Sequence, residues 1–306
     1  MTPSVRRPTV RYAHDRAYTS AAVATRRSSR FIDKVRSGEL QSTEGMHASE
    51  LERGGDFIQS LERGLAAIRA FTGDRSALSV TEVAERSGVS RAAARRILFT
   101  LRRLGYVGTT ENGLYRLEPT VLTLGYAYIS SQDLIGLARP YMESAANELG
   151  GSCSLGVLHG TDVMFIARVR APGYLGTTLS VGSLLPAHLT AMGRVLLADL
   201  PDEEIDAYLR DVRPEAFTQF TVTGRAELRK AIMRTRESGY SVIDQELVVG
   251  VHALGVPIHD QHGKVQAGLN VAVVDSRASE RRMLKVHLPA LRRAADAITA
   301  ALRATG

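Results

Sequence analysis

The segment that most restricts how this chain can fold is residues 79–104, SVTEVAERSGVSRAAARRILFTLRRL. Its spacing predicts a short helix, a tight turn and a second helix. Ser79 and Glu82 have the S-x-x-E spacing of a capping box, in which each side chain satisfies a backbone N–H left over at a helix start. Gly88-Val89 supplies the turn, and Ser90 is a suitable N-cap for the second helix. From there Ala94, Ile97, Leu98 and Leu101 recur at i, i+3, i+4 and i+7, an apolar stripe on one helical face. At about 100° per residue, Arg91, Arg95 and Arg102 cluster beside that stripe, with Arg96 and Arg103 about a quarter turn further round. No acid interrupts residues 91–103. A helix that buries one face and offers guanidinium groups on another suits the major groove of DNA. Arginine-rich faces are more often plain solvated surface, so the neighbouring elements have to decide.

They favour DNA. Gly105-Tyr106-Val107 starts a strand, Glu111-Asn112-Gly113 is a hairpin turn, and Leu114-Tyr115-Arg116-Leu117 returns, which adds a wing to the helix-turn-helix. Upstream, Leu61, Leu65, Ile68 and Phe71 fall at helical spacing and predict a supporting first helix. Arg91 and Arg95, near the start of the second helix, are candidates for guanine O6 and N7. Ser90 can donate to a phosphate, Ala92 can face a thymine methyl, and Arg116 on the wing can reach the backbone. Arg102 extends the basic face, while Arg96 serves either phosphate or the fold itself.

Charge agrees with a polyanionic partner. The net charge is +7 and the isoelectric point about 9.7, although a basic balance alone is a weak signal. Residues 1–36 carry nine Arg or Lys against two acids, and residues 57–119 carry ten against six. At 306 residues the chain is long enough for about two domains with separate cores. Cys153 is the only cysteine, which excludes an internal disulfide and a cysteine-based metal set. The sequence contains no apolar run of membrane-spanning length and no signal-peptide core, so a cytoplasmic protein without metal or cofactor is expected.

Four segments follow. Residues 1–56 are polar and rich in Ser and Arg without sustained periodicity, and read as a disordered extension. They are either a basic arm that adds phosphate affinity or an artefact of start-codon choice, with Met46 the alternative start. Residues 57–119 form the winged helix-turn-helix. Residues 120–133 form a connecting helix with Val121, Leu124, Tyr128 and Ile129 on one side, suited equally to dimerisation or to packing within the chain. Residues 134–306 read as mixed α and β. Helices are expected at Leu134–Leu149, Thr190–Ala198, Glu203–Arg210 and Ala226–Ser238, the last ended by Gly239. Strands are expected at Cys153–Leu158, Val163–Val169, Thr177–Val181, Tyr240–Ile243, Ala253–Ile258 and Val265–Val273. Leu284, Leu288, Leu291, Ala295, Ile298 and Leu302 mark a final amphipathic helix. Hairpin-linked strands with helices beside them predict an α+β fold, a sensor-like domain around a mainly antiparallel sheet flanked by helices.

Three ordered motifs carry a resemblance. The first is Ser60-Leu61-Glu62-Arg63-Gly64-Leu65, followed by the helix-turn-helix and Leu104-Gly105-Tyr106-Val107. The second is Leu185-Pro186-Ala187-His188-Leu189-Thr190-Ala191-Met192-Gly193-Arg194-Val195-Leu196-Leu197. The third runs from Gly239-Tyr240 through Asp244-Gln245-Glu246 to Ala253-Leu254-Gly255-Val256-Pro257-Ile258. Together, across about 57–306, they resemble the IclR family of bacterial transcriptional regulators. The resemblance implies an effector-binding domain behind the DNA reader, and dimers or dimers of dimers on palindromic operators. Arg91-Ala92-Ala93-Ala94-Arg95-Arg96, Phe57-Ile58-Gln59-Ser60 and Asp244-Gln245-Glu246 resemble the branch controlling catabolism of protocatechuate, hydroxybenzoate and β-ketoadipate. One position departs: three residues before Glu246 the family commonly has Asp or Ser, which can contact a small oxo-acid, and this chain has Ile243. A more apolar effector follows, an aromatic or longer acid, with a small oxo-acid as the alternative.

The effector site is expected where Pro186–Arg194 meets the strands around Ala253 and Asn270. Backbone N–H groups of Thr190, Ala191, Met192 and Gly193 at a helix start suit a carboxylate, and the Thr190 hydroxyl adds a donor. His188 either touches the ligand or fixes the loop. Arg168 and Arg170 either pair a second carboxylate or are surface charge. Asn270, mid-strand, would want a ligand or partner if it faced inward, and His252 is a weaker candidate. A hydrolase reading needs Cys153 as nucleophile with His159 or His188 as base. No Gly-rich nucleophile turn surrounds Cys153, so an enzyme is not expected.

Overall fold

The computed structural model describes residues 57–71, 76–130, 133–172, 179–274 and 279–305. The expected extension, 1–56, lies outside the described residues. The first unit packs α1 (Gln59–Arg69), α2 (Val80–Ser87) and α3 (Arg91–Arg103) beside the hairpin β1 (Val107–Thr109) and β2 (Tyr115–Leu117). Ser79 and Glu82 form the reciprocal capping box, at 3.2 and 2.8 Å. Gly88 ends α2 at φ +66°, a left-handed conformation that glycine adopts without steric cost. Ser90 Oγ accepts the Ala93 N–H and caps α3, whose Ala94, Leu98 and Leu101 are buried.

The supporting helix forms, but its expected stripe is not its buried face. Leu61 and Leu65 are 59% and 42% exposed, while Ala67 and Ala70 enter the core with Ile68 and Phe71 at its margin. Small side chains let α1 approach α2 and α3 closely, which leaves the larger leucines outside. After a turn at Pro119–Val121, α4 (Leu122–Ser130) has no buried residue at all.

The second unit is built on one antiparallel sheet of order β5-β4-β3-β8-β7-β6. Its strands are β3 (Ser152–His159), β4 (Asp162–Arg170), β5 (Leu184–Pro186), β6 (Ser241–Asp244), β7 (Val251–His259) and β8 (Val265–Val274). The strand expected at Thr177–Val181 is not found among its described residues. Thr177 and Thr178 lie outside the described residues, and Leu179–Val181 is not strand. Gly182 at φ +87° makes the turn instead, and the chain joins the sheet at β5.

Alternation along the strands gives the two sheet faces different contents. Cys153, Leu155, Leu254, Val256, Leu269 and Val271 face α5 (Asp133–Leu149) and α9 (Leu288–Thr305), forming the main core with Met142, Leu291 and Ile298. The intervening residues Ser152, Ser154, Ala253, Gly255, Asn270 and Ala272 face the other way, toward α6 (Ala191–Ala198). Behind α6, α7 (Asp202–Asp211) and α8 (Arg225–Ser238) close a smaller core around Ile205, Leu228 and Ile232.

Candidate functional site

The arrangement offers two surfaces with chemistry. On α3, Arg91, Ala92, Arg95, Arg96, Arg102 and Arg103 are all exposed while the opposite stripe is buried. The N-cap Ser90 is exposed beside them. Arg116 projects from the wing and pairs with Glu118 at 3.2 Å, a half-exposed contact worth little in water. The helix therefore presents guanidinium groups without a stabilising duty to the core. Phe99, exposed on the same helix, carries a large apolar group that the sequence reading passed over.

The second surface is a cavity of about 60 Å³ between the sheet and α6, space for a few waters. It exists because the floor is built from small side chains: Ser152, Ser154, Ala253 and Ala272. Gly255 extends this logic, since a Cβ there would lie 2.6–2.8 Å from the backbone of Ala191 and Met192. Only glycine lets the start of α6 settle on β7. Phe165, Leu185, Leu189 and Met192, together with Ile243, Leu247, Val248 and Val251, supply its apolar walls. Among the described lining residues Arg168 is the only charged side chain.

Arg168 reaches the cavity through a β-bulge. Leu155 pairs with Ala167 and Gly156 with Phe165, so Ile166 is an extra residue on β4. That extra residue shifts the alternation, and both Phe165 and Arg168 face the cavity, a common use of bulges near functional sites. Arg168 Nη2 donates to Ser152 Oγ at 3.2 Å. Across the strands Arg168, Ser154, Asn270 and Gly255 form one rung. Asn270 is 7% exposed, lines the cavity, and its Oδ1 has no hydrogen-bond partner among the described residues.

Thr190, Ala191, Met192, Ala253, Asn270 and Arg168 thus share one cavity, whereas His188 and Gly193 do not line it. His188 is turned into the small core: its N–H donates to Tyr208 Oη at 2.9 Å, and Nδ1 lies 2.7 Å from the same oxygen. Burial, then the nearby Arg194 charge, lowers its pKa to about 4, so the ring is neutral at pH 7. The Gly193 N–H is taken by Thr190 Oγ1 at 3.0 Å, and a Cβ at Gly193 would strike Ala187 O. Gly193 is a packing residue, and the Thr190 hydroxyl caps α6 rather than standing free. His252 is buried with Nδ1 2.9 Å from Asp244 Oδ1, close but not aligned for a hydrogen bond. Arg170 does not line the cavity itself but donates to the carbonyl of Leu179, which does. Burial pushes the Cys153 thiol up to about 12, which leaves no thiolate for nucleophilic attack.

A buried latch was missed by the sequence reading. Arg194 Nη2 donates to Glu246 Oε2 at 2.7 Å, both side chains about 5% exposed, and Nε donates to His188 O. Glu246 Oε2 also accepts the Val222 N–H, while Thr218 and Thr221 hydroxyls donate to the Gln245 and Glu246 carbonyls. Gln245, at φ +59°, is the one non-glycine with positive φ among the described residues. These bonds pin the 245–250 loop, which carries Leu247 and Val248 over the cavity. A lone arginine in the otherwise apolar AMGRVLLA helix was the available signal.

Among the described residues no helix is long and apolar enough to cross a membrane, and no cluster of three or more His, Cys, Asp or Glu could hold a metal. Residues 126–300 match the family described as Bacterial transcriptional regulator IclR C-terminal, and residues 60–111 match the IclR helix-turn-helix domain. The Pca regulon regulatory protein of Pseudomonas putida is 39% identical over 237 residues, 77% of this chain and 81% of that protein. The p-hydroxybenzoate hydroxylase transcriptional activator of Acinetobacter baylyi is 33% identical over 255 residues, 82% and 94% of the two chains. A solved transcriptional regulator from Rhodococcus sp. RHA1 superposes with a TM-score of 0.73 at 38% identity, covering 82% of this chain and all of that one. An IclR homolog from Microbacterium hydrocarbonoxydans, complexed with 4-hydroxybenzoate, gives 0.71 at 24% identity over 80% and 99%, a likeness of fold.

Proposed function

Because the chain belongs to the IclR family of bacterial transcriptional regulators, we propose that it is switched by a small aromatic monocarboxylic acid bound between the sheet and α6. One observation carries this reading: among the described lining residues the walls are largely apolar and the one charged side chain is the positive Arg168. A carboxylate meets the Arg168 guanidinium and the Ala191 and Met192 N–H groups at the positive end of α6. A ring meets Ile243, Leu247, Val248 and Phe165. Ile243, where relatives of the oxo-acid type would offer a polar group, works against a small polar acid. The names of the Pca and p-hydroxybenzoate regulators, and the 4-hydroxybenzoate held by the Microbacterium homolog, support the same class.

Arg91 and Arg95 read base edges in this proposal, with Ser90, Arg96, Arg102 and Arg116 on the backbone and Ala92 against a thymine methyl. Arg91→Ala is expected to weaken operator binding by about 1–3 kcal/mol and relax one base position. Equal loss on scrambled DNA would make Arg91 a phosphate contact. The exposed apolar residues Leu61 and Leu65 on α1, and Leu122, Leu124 and Tyr126 on α4, are covered by a second copy of the chain. A monomeric mass in solution would remove that part. Effector binding then favours one spacing of the paired readers, a population shift rather than a direct contact.

The effector test is a thermal-shift comparison of 4-hydroxybenzoate, protocatechuate, β-ketoadipate and pyruvate on the full chain. A ligand that prefers the folded state raises the melting temperature. The aromatic monocarboxylates are expected to give the largest rise. A rise with pyruvate alone would replace the aromatic reading with a small oxo-acid.

A further inference from the structure

The polar groups around the cavity are unequal in kind. Arg168 can only donate, and the first N–H groups of α6 can only donate. The Thr190 hydroxyl is engaged at both ends, accepting from Gly193 N–H and donating toward Ala187 O. A carboxylate satisfies donors and supplies none. Asn270 differs: its amide carries an acceptor oxygen as well as donors, it is buried, and Oδ1 has no partner among the described residues. The fully buried end of the amide without a partner is its oxygen, and an oxygen calls for a donor. Its rung neighbours do not supply that donor: Gly255 has no side chain, and Ser154, paired directly with Asn270 on β3, makes no hydrogen bond to it. A buried acceptor left unmatched costs free energy, and such positions in native folds call for an explanation.

We propose that Asn270 is a specificity-determining residue that accepts a hydrogen bond from a hydroxyl on the effector, so that the cavity distinguishes a hydroxylated aromatic acid from the same acid without the hydroxyl. This rests on the aromatic-acid reading of the cavity. Arg168 and Asn270 stand two strands apart on one rung, about 9–10 Å between Cα atoms at the usual strand spacing, with the small Ser154 between them. A ring bearing an acid and a hydroxyl at separated positions lies over Ser154, its acid held by the donors and its hydroxyl donating to the amide. An acid lacking the hydroxyl enters the same space and leaves the amide oxygen orphaned. Sites built to bond a substrate hydroxyl reject the analogue without it for this reason.

The experiment is calorimetric titration of the full chain with benzoate, 3-hydroxybenzoate and 4-hydroxybenzoate, repeated on Asn270→Leu and, as a smaller replacement, Asn270→Ala. Thermal unfolding of each variant reports whether it is folded. The native chain is expected to bind the better hydroxybenzoate roughly ten- to a hundred-fold more tightly than benzoate. In a folded variant that ratio should fall to about two-fold or less, with benzoate affinity kept or improved because the orphan amide is gone. If the native chain binds all three acids equally, or the variants keep the native ratio, Asn270 does not read a hydroxyl while the aromatic-acid reading stands. If no acid of the three binds the native chain, the aromatic-acid reading itself falls and the inference with it.

Discussion

The two faces of the six-stranded sheet are made by the same strands yet have opposite contents. Toward α5 and α9, most alternate residues are apolar and many are large, and the layer is filled by Leu155, Leu254, Val256, Leu269 and Val271. Toward α6, the alternate residues are Ser152, Ser154, Ala253, Asn270 and Ala272. One face is packed for stability; the other withholds volume and keeps polar groups without filling the space. The lesson is that a ligand cavity in such a sheet is written as missing side-chain bulk at period two, rather than as any conspicuous motif.

The largest effect that bears on this contrast is expected at the latch. Glu246→Gln leaves the buried Arg194 charge uncompensated, and removing one member of a buried pair typically costs about 3–5 kcal/mol. Urea unfolding should show that loss, and Arg194→Met combined with Glu246→Leu should recover most of it. A single-variant loss below about 1 kcal/mol would mean that the cavity face is not held shut by this pair.

Neighbouring residues on β7 test the contrast itself. Leu254 is fully buried on the packed face, so Leu254→Ala should cost about 2–5 kcal/mol through lost burial and a residual void. Ala253→Leu, one residue earlier on the cavity face, should leave thermal stability unchanged or raised while abolishing the ligand-induced melting shift. Equal destabilisation by the two variants would show that both faces are packed alike.

Much of this was legible in the chain. The capping box, the Gly88 turn and the apolar stripe of α3 are local, because helix caps and periodicity need only a few neighbouring residues. The helices and most strands of the second unit follow for the same reason, whereas the placement of Ile243 and Asn270 near α6 came only through the family resemblance. What escaped depends on partners distant in sequence. The Ile166 bulge that turns Arg168 inward is a mismatch between β3 and β4, and neither strand shows it alone. Arg194 and Glu246 are separated by 52 positions, so their pairing appears only when the β6–β7 loop folds over α6. The α1 stripe misled because helical periodicity does not say which of two faces meets the core, and here the alanines do. For His188 the sequence left two roles open, touching the ligand or fixing the loop, because its partner Tyr208 lies 20 residues later.

His188 supplies the smallest of these tests and sharpens where the cavity face ends. Its folded pKa of about 4 lies below the 6.5 of an exposed imidazole, chiefly through burial and then through the Arg194 charge. Above pH 6.5 both folded and unfolded chains hold it neutral, and its contribution to stability is fully present. As pH falls from about 6.5 toward 4 the unfolded chain takes up the proton first, so stability declines across that window, by on the order of 3 kcal/mol at its lower end. Below pH 4 the folded ring protonates too, and the slope from this residue vanishes. His188→Gln keeps a polar partner for Tyr208 but removes the titration, so its stability should vary less with pH over 4–6.5 than that of the native chain, as read by denaturant midpoints at fixed pH. Effector affinity at pH 7 should be retained, because the ring faces Tyr208 and not the ligand. An unaltered pH slope would mean that protonation of His188 does not oppose folding, and a lost effector response would return the residue to the cavity wall.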